Sequence, residues 1–228
     1  MKKGLLQISL ILVLSGLGLT LKGQNVTFLS NLSQTVDPSP PVLGLNQYLA
    51  APFITGGSPA TFSSATVNLF ASQFSTGHVQ FGLFSDANGL PGSQLPGGAL
   101  NGPSSMYANG NYLYSASVPL FLSPNTQYWL VGTGDYATPN ANYGWYDTYS
   151  YAYSSSAGWQ LPGIMAFSGD EGATWTSDAT ALIPRPLRFQ ITGSVVPEPS
   201  VLMLGIFGVS ALLLLRWRTR GVGPIQER

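Results

Sequence analysis

Apolar side chains recur at every second position through much of the chain. In residues 66–72, Val67, Leu69 and Ala71 fall on one side while Asn68 and Ser72 point to the other. A period of two is that of a strand with one face buried and one face wet. The same alternation runs through residues 78–84, where Val79, Phe81 and Leu83 align. It returns in residues 186–192, where Leu187, Phe189 and Ile191 oppose Arg188, Gln190 and Thr192. Further strands are predicted at 25–30, 46–55, 111–118, 126–132 and 163–168, with a Tyr-rich pair near 142–154. Turn formers separate them: Asn88-Gly89, Pro91-Gly92, Asn109-Gly110, Ser123-Pro124-Asn125 and residues 169–172. No convincing helical period lies between these strands. Eight or so short strands with Gly/Pro turns predict an all-β fold, an antiparallel β-sandwich of jelly-roll type. Two stretches are predicted to be loops: 33–42, with its prolines, and 90–105, rich in Gly, Pro and Ser.

The two ends break this pattern. Lys2 and Lys3 precede the apolar stretch Leu5 to Leu21, the plan of a secretory signal peptide, here given as residues 1–23 with cleavage near Gly23. At the other end, residues 196–200 read Val-Pro-Glu-Pro-Ser. An apolar run, 201–215, follows, and then a basic tail, 216–228, that opens with Arg216, Arg218 and Arg220. As a helix, 201–215 would reach about 22 Å at ~1.5 Å per residue. That is short of a ~30 Å hydrocarbon core, although Trp217 and the arginine stems extend it at the interface. The expectation is one marginal transmembrane helix, its arginines on the cytoplasmic side and everything before Pro197 outside. The segment between, 24–195, is then the ectodomain.

Charge changes the picture once it is divided by region. Net charge over the whole chain is zero, but residues 24–195 hold seven acids against two bases, Arg185 and Arg188. A surface so poor in bases has nothing with which to neutralise phosphates, so nucleic acid is excluded as a partner. The absence of cysteine excludes disulfides and thiolate metal sites.

Candidate chemistry is sparse. His78 is the only histidine and opens a strand, where it has neither a nucleophile motif nor fellow metal ligands. Asp170 and Glu171 are adjacent, so a strand would send them to opposite faces and a turn would leave both in solvent. A glycosidase needs two carboxylates facing each other across a cleft. Asp86-Ala87-Asn88-Gly89 opens like a calcium loop, but its twelfth position is Gly97 where a bidentate acid belongs, and an Asx turn is the plainer reading. The Asn-x-Ser/Thr tripeptides at Asn25 and Asn31 are assigned no role. Aromatics are the enriched class: Tyr143, Trp145, Tyr146, Tyr149, Tyr151, Tyr153 and Trp159 fall within 17 residues. Such side chains either fill a core, the commoner use, or form a platform for a sugar or partner, for which Tyr143, Trp145, Tyr146 and Trp159 are the candidates.

The C-terminal arrangement, Pro197-Glu198-Pro199 followed by a short apolar helix and an arginine cluster, resembles the PEP-CTERM sorting signal of Gram-negative bacteria. The resemblance implies processing by an exosortase-type membrane protease, transient residence in the inner membrane, and delivery to the cell surface or extracellular biofilm matrix. The ectodomain resembles the choice-of-anchor surface domains, type R. It does so in residues 28–32, in 81–86 leading to Gly89-Leu90-Pro91-Gly92, in 125–130, in Gly158-Trp159 and in 186–189. That resemblance supplies no catalytic residues and no cofactor. The expected role is therefore a non-enzymatic exported protein, with a carbohydrate-binding or adhesion module acting on exopolysaccharide through the aromatics of 143–159 as the alternative.

Overall fold

A computed structural model describes residues 24–44, 46–71, 78–106, 108–135, 143–178 and 185–196. The signal peptide, the sorting motif with its helix, and the basic tail lie outside the described residues. Among those described there is no helix, and every paired strand is antiparallel to its neighbour.

The described residues form thirteen strands: β1 (Val26–Ser30), β2 (Val42–Leu43), β3 (Tyr48–Ile54), β4 (Ala60–Ala71), β5 (His78–Ala87), β6 (Leu90–Asn101), β7 (Gly110–Leu122), β8 (Gln127–Asp135), β9 (Tyr143–Trp145), β10 (Ser154–Ser155), β11 (Ala166–Ser168), β12 (Thr176–Ser177) and β13 (Phe189–Val195). They join in the order β10-β1-β13-β4-β7-β6-β5-β8-β3-β11-β12, with β9 bridging β2 and β4. The sheet is curled. β1 and β3 stand far apart in that order, yet Phe28 of β1 and Phe53 of β3 both stack on Trp159, with ring centroids 4.3 and 5.8 Å away. Likewise Phe81 of β5 meets Trp145 of β9 edge-on at 4.9 Å, and Trp145 in turn meets Phe189 of β13. Only a sheet whose concave face closes on itself brings these rings together.

The predicted alternation is what fills that concavity. Val67 and Leu69 of β4 are fully buried while Thr66 and Asn68 are half-exposed, and Phe189 and Ile191 of β13 do the same. β8 departs from alternation because both its faces are covered. Tyr128 and Leu130 point into the main core, while Trp129 and Val131 pack on the opposite side with Ala50 and Ala166. The segment carrying Ile164 and Trp175 folds over that second face.

The structure corrects one predicted loop. Residues 90–101 form β6, paired with β5 along its length but with β7 only at Leu100 and Asn101. Pro91 and Pro96 therefore sit where one side of the strand has no ladder to lose, and two register shifts against β5 absorb the irregularity. The β5–β6 connection is a two-residue turn, Asn88 at φ 57° and Gly89 at φ 81°, both left-handed as a type I′ hairpin turn requires. Asp86 accepts the Gly89 amide at 3.0 Å, the Asx closure expected from the sequence.

Candidate functional site

Burial redistributes the aromatic residues singled out in the sequence. Tyr143 and Trp145 are fully buried and Trp159 is 2% exposed, so these three offer no face to a ligand and the expected platform is corrected to core. The cause is position: Tyr143 and Trp145 lie on β9, which plugs between β2 and β4, and Trp159 closes the gap between β1 and β3. The Trp145 indole also donates to the Arg188 carbonyl at 2.9 Å, a buried bond that a surface platform would not need. Tyr146 is half-buried and meets Phe70 edge-on at 6.3 Å. Of that aromatic cluster, Tyr149, Tyr151 and Tyr153 are left in solvent.

The most concentrated polar chemistry is a cluster the sequence did not announce. Asp37 follows β1 on the first loop, Asp147 and Tyr149 follow β9, and Arg185 precedes β13. The Arg185 Nη2 donates to Asp37 Oδ2 at 2.5 Å, and its Nε lies 2.6 Å from Asp147 Oδ2. The second contact is close enough for an ion pair, although neither Asp147 oxygen makes a well-aligned hydrogen bond. The Asp37 amide donates to the Asp147 carbonyl at 3.0 Å, so the two acids are also held together by backbone. Asp37 and Asp147 are 2% and 0% exposed in their side chains, against 31% for Arg185.

One guanidinium thus serves two carboxylates in different surroundings. The Tyr149 hydroxyl, bonded to Asp37, holds that carboxyl below its ordinary value, aided by the Ser39 amide and by Arg185 and opposed by burial. Burial dominates at Asp147 and pushes it up to about 6, with Arg185 opposing. Carboxylates whose environments drive them apart are the usual makings of an acid–base pair. Here, however, both side chains are buried and share a single arginine. A groove of about 380 Å³ lies elsewhere, lined by residues that include Pro41, Tyr48, Met165 and Phe167. The cluster ties the loops after β1 and β9 to the start of β13. Its one legible signal was scarcity, since an ectodomain with only two bases among seven acids must spend each base with care.

Other acids serve as acceptors too. Asp86 takes Gln127 Nε2 at 2.6 Å and the Trp129 indole at 2.8 Å, fastening the β5–β6 turn to β8. Asp170 takes the Thr174 amide and hydroxyl and the Ser168 hydroxyl in an exposed turn. Glu171 lies beside it in solvent. Asp178 accepts the Met165 amide at 2.7 Å. His78 opens β5 and is exposed. No group of three or more metal-ligating side chains occurs among the described residues.

Arg188 is covered on the outer face, donating to Asn68 Oδ1 at 2.5 Å and to the Leu32 carbonyl; burial pulls its pKa down. Asn31 is fully buried, giving its amide to the Leu187 carbonyl at 3.0 Å and accepting the Phe189 amide at 2.7 Å. Pro197, Glu198, Pro199, Arg216, Arg218 and Arg220 lie outside the described residues. Within those, no helix is long and apolar enough to cross a membrane.

No protein-family model matches the chain, and no curated protein matches it in sequence.

Proposed function

We propose that this chain is a non-enzymatic exported protein of the bacterial surface or extracellular matrix, its ectodomain a jelly-roll-like β-sandwich. In this reading an exosortase-type membrane protease processes it through a PEP-CTERM-like signal. The carrying observation is the order Pro197-Glu198-Pro199, apolar run, Arg216/Arg218/Arg220 directly after the last strand. β13 ends at Val195, and the Val196 amide still bonds to the Pro59 carbonyl at 3.0 Å. The last described strand thus ends before Pro197, so gripping the motif would not require a protease to unfold β13. The hydrophobic run is brief for a permanent span, which suits an anchor that is removed.

The use of carboxylates supports the non-enzymatic part. Asp37, Asp86, Asp147, Asp170 and Asp178 each serve a turn, a loop or an ion pair in the fold. Replacing Glu198 with Ala is expected to leave an uncut, membrane-bound precursor, read by fractionation and by mass spectrometry of the exported material. Release of processed protein at the normal rate would refute the sorting reading.

A further inference from the structure

We infer that Tyr149, Tyr151 and Tyr153 form a stacking strip for a neutral polysaccharide. Their relative exposures are 58%, 57% and 36%, while Trp129, Trp145 and Trp159 are buried. Three solvent-facing rings within five residues are a concentration that packing does not account for. No ring–ring contact among the described residues involves any of them; Arg185 approaches Tyr149 and Gly163 backs Tyr151, and each ring keeps part of its surface in solvent.

The strip is held in place. The Thr148 amide bonds to the Pro186 carbonyl at 3.1 Å, the Ser150 amide to Thr148 Oγ1 and the Ala152 amide to Ser150 Oγ, each also at 3.1 Å. Beyond Tyr153, β10 pairs with β1. Tyr149 is fixed by its bond to Asp37 and by the Arg185 guanidinium 5.7 Å from its ring centre. The Tyr151 ring packs against Gly163, so close that a Cβ there would fall 2.0 Å from its Cε1. Rings positioned before binding lose little freedom on binding.

Chemistry selects the partner. The two acids beneath the strip are already matched to Arg185, so no free carboxylate or base is offered there. Residues 147–158 contain no aliphatic side chain larger than Ala; Ser150, Ser154, Ser155 and Ser156 stand among the rings instead. A protein interface would want an apolar centre. An ionic polymer would want counter-charge. Pyranose rings offer a C–H face for stacking and a rim of hydroxyls for the serines, tyrosines and backbone. The inference rests on the proposed export only for access to such a polymer.

The test is native affinity electrophoresis of the full chain in mild detergent, through gels containing hydroxyethyl cellulose, galactomannan or dextran, with alginate as the charged arm. Retardation by at least one neutral polymer is expected. Tyr151→Ala should weaken it roughly tenfold, the scale of one stacked ring. Tyr151→Phe should stay within about twofold, and the triple alanine variant should abolish retardation with an unchanged near-ultraviolet spectrum from the buried tryptophans. The inference is overturned by no retardation in any neutral gel, by an undiminished effect in the triple variant, or by retardation in alginate alone that salt removes. It is also overturned if the strip proves to bind phosphatidylcholine vesicles and no polymer. Processing at Glu198 is read by mass, so either proposal can fail while the other stands.

Discussion

Replacement of Trp159 by Ala separates a core role from a ligand role. The indole is 2% exposed and lies between Phe28 and Phe53, rings carried by strands at distant places in the sheet. A buried tryptophan removes about 200 Å² from water, which at ~25 cal/mol per Å² corresponds to about 5 kcal/mol. Alanine retains part of this and the cavity partly relaxes, so the expected loss is about 3–5 kcal/mol. Trp159→Phe keeps a ring between the other two and should cost less than half as much. Urea unfolding followed by far-ultraviolet circular dichroism measures both. With a thermal shift of roughly 2–4 °C per kcal/mol at this domain size, the alanine variant should melt about 6–20 °C lower. A loss below about 1 kcal/mol would refute the claim that Trp159 closes the curled sheet. It would return the residue to the surface role first considered for it.

Two further predictions concern Asp147 and the packing of β13. Because Asp147 is raised to about 6 in the fold, the native state holds its proton more firmly than the unfolded chain; this contribution is complete below the ordinary carboxylate value of 3.8 and fades as pH climbs through about 6. Asp37 is lowered and acts in the opposite sense, its contribution fading only as pH falls below 3.8, so Asp147→Asn should flatten the decline in urea midpoint between pH 4 and 6 and leave the more acidic limb in place; an unchanged slope would refute the assignment. In β13, a Cβ at Gly193 would lie 1.8 Å from the Thr61 carbonyl oxygen, at the point where the register against β4 shifts. Gly193→Ala should therefore cost about 1–3 kcal/mol, checked by the same urea titration.

Strands with one wet face were legible from the sequence, because β4, β5 and β13 write their burial as alternation. β6 was not. Its prolines and glycines are those of a loop, and only its one-sided pairing makes them tolerable, a fact of tertiary arrangement. The same holds for β7, which runs on through Pro119 to Leu122, beyond the predicted 118. The Asn88-Gly89 turn was readable because its chemistry is local. The aromatic segment was legible as a concentration of rings but not in its division: Tyr143 and Trp145 go inside with β9, while Tyr149, Tyr151 and Tyr153 stay out. For the acid pair on Arg185 only the scarcity of bases was legible, not the pairing, since Asp37 and its arginine stand 148 positions apart.

The place of β13 has a mechanical consequence. It is an interior strand, bonded to β1 on one side and to β4 on the other, and it is the last strand before residue 196. Ladder bonds run across the strand. A pull on the chain at that exit acts along β13 and loads both ladders in shear, many bonds at once, where tension on an edge strand peeled from its end would part them singly. A tether attached there would hold the curled sheet through both ladders together.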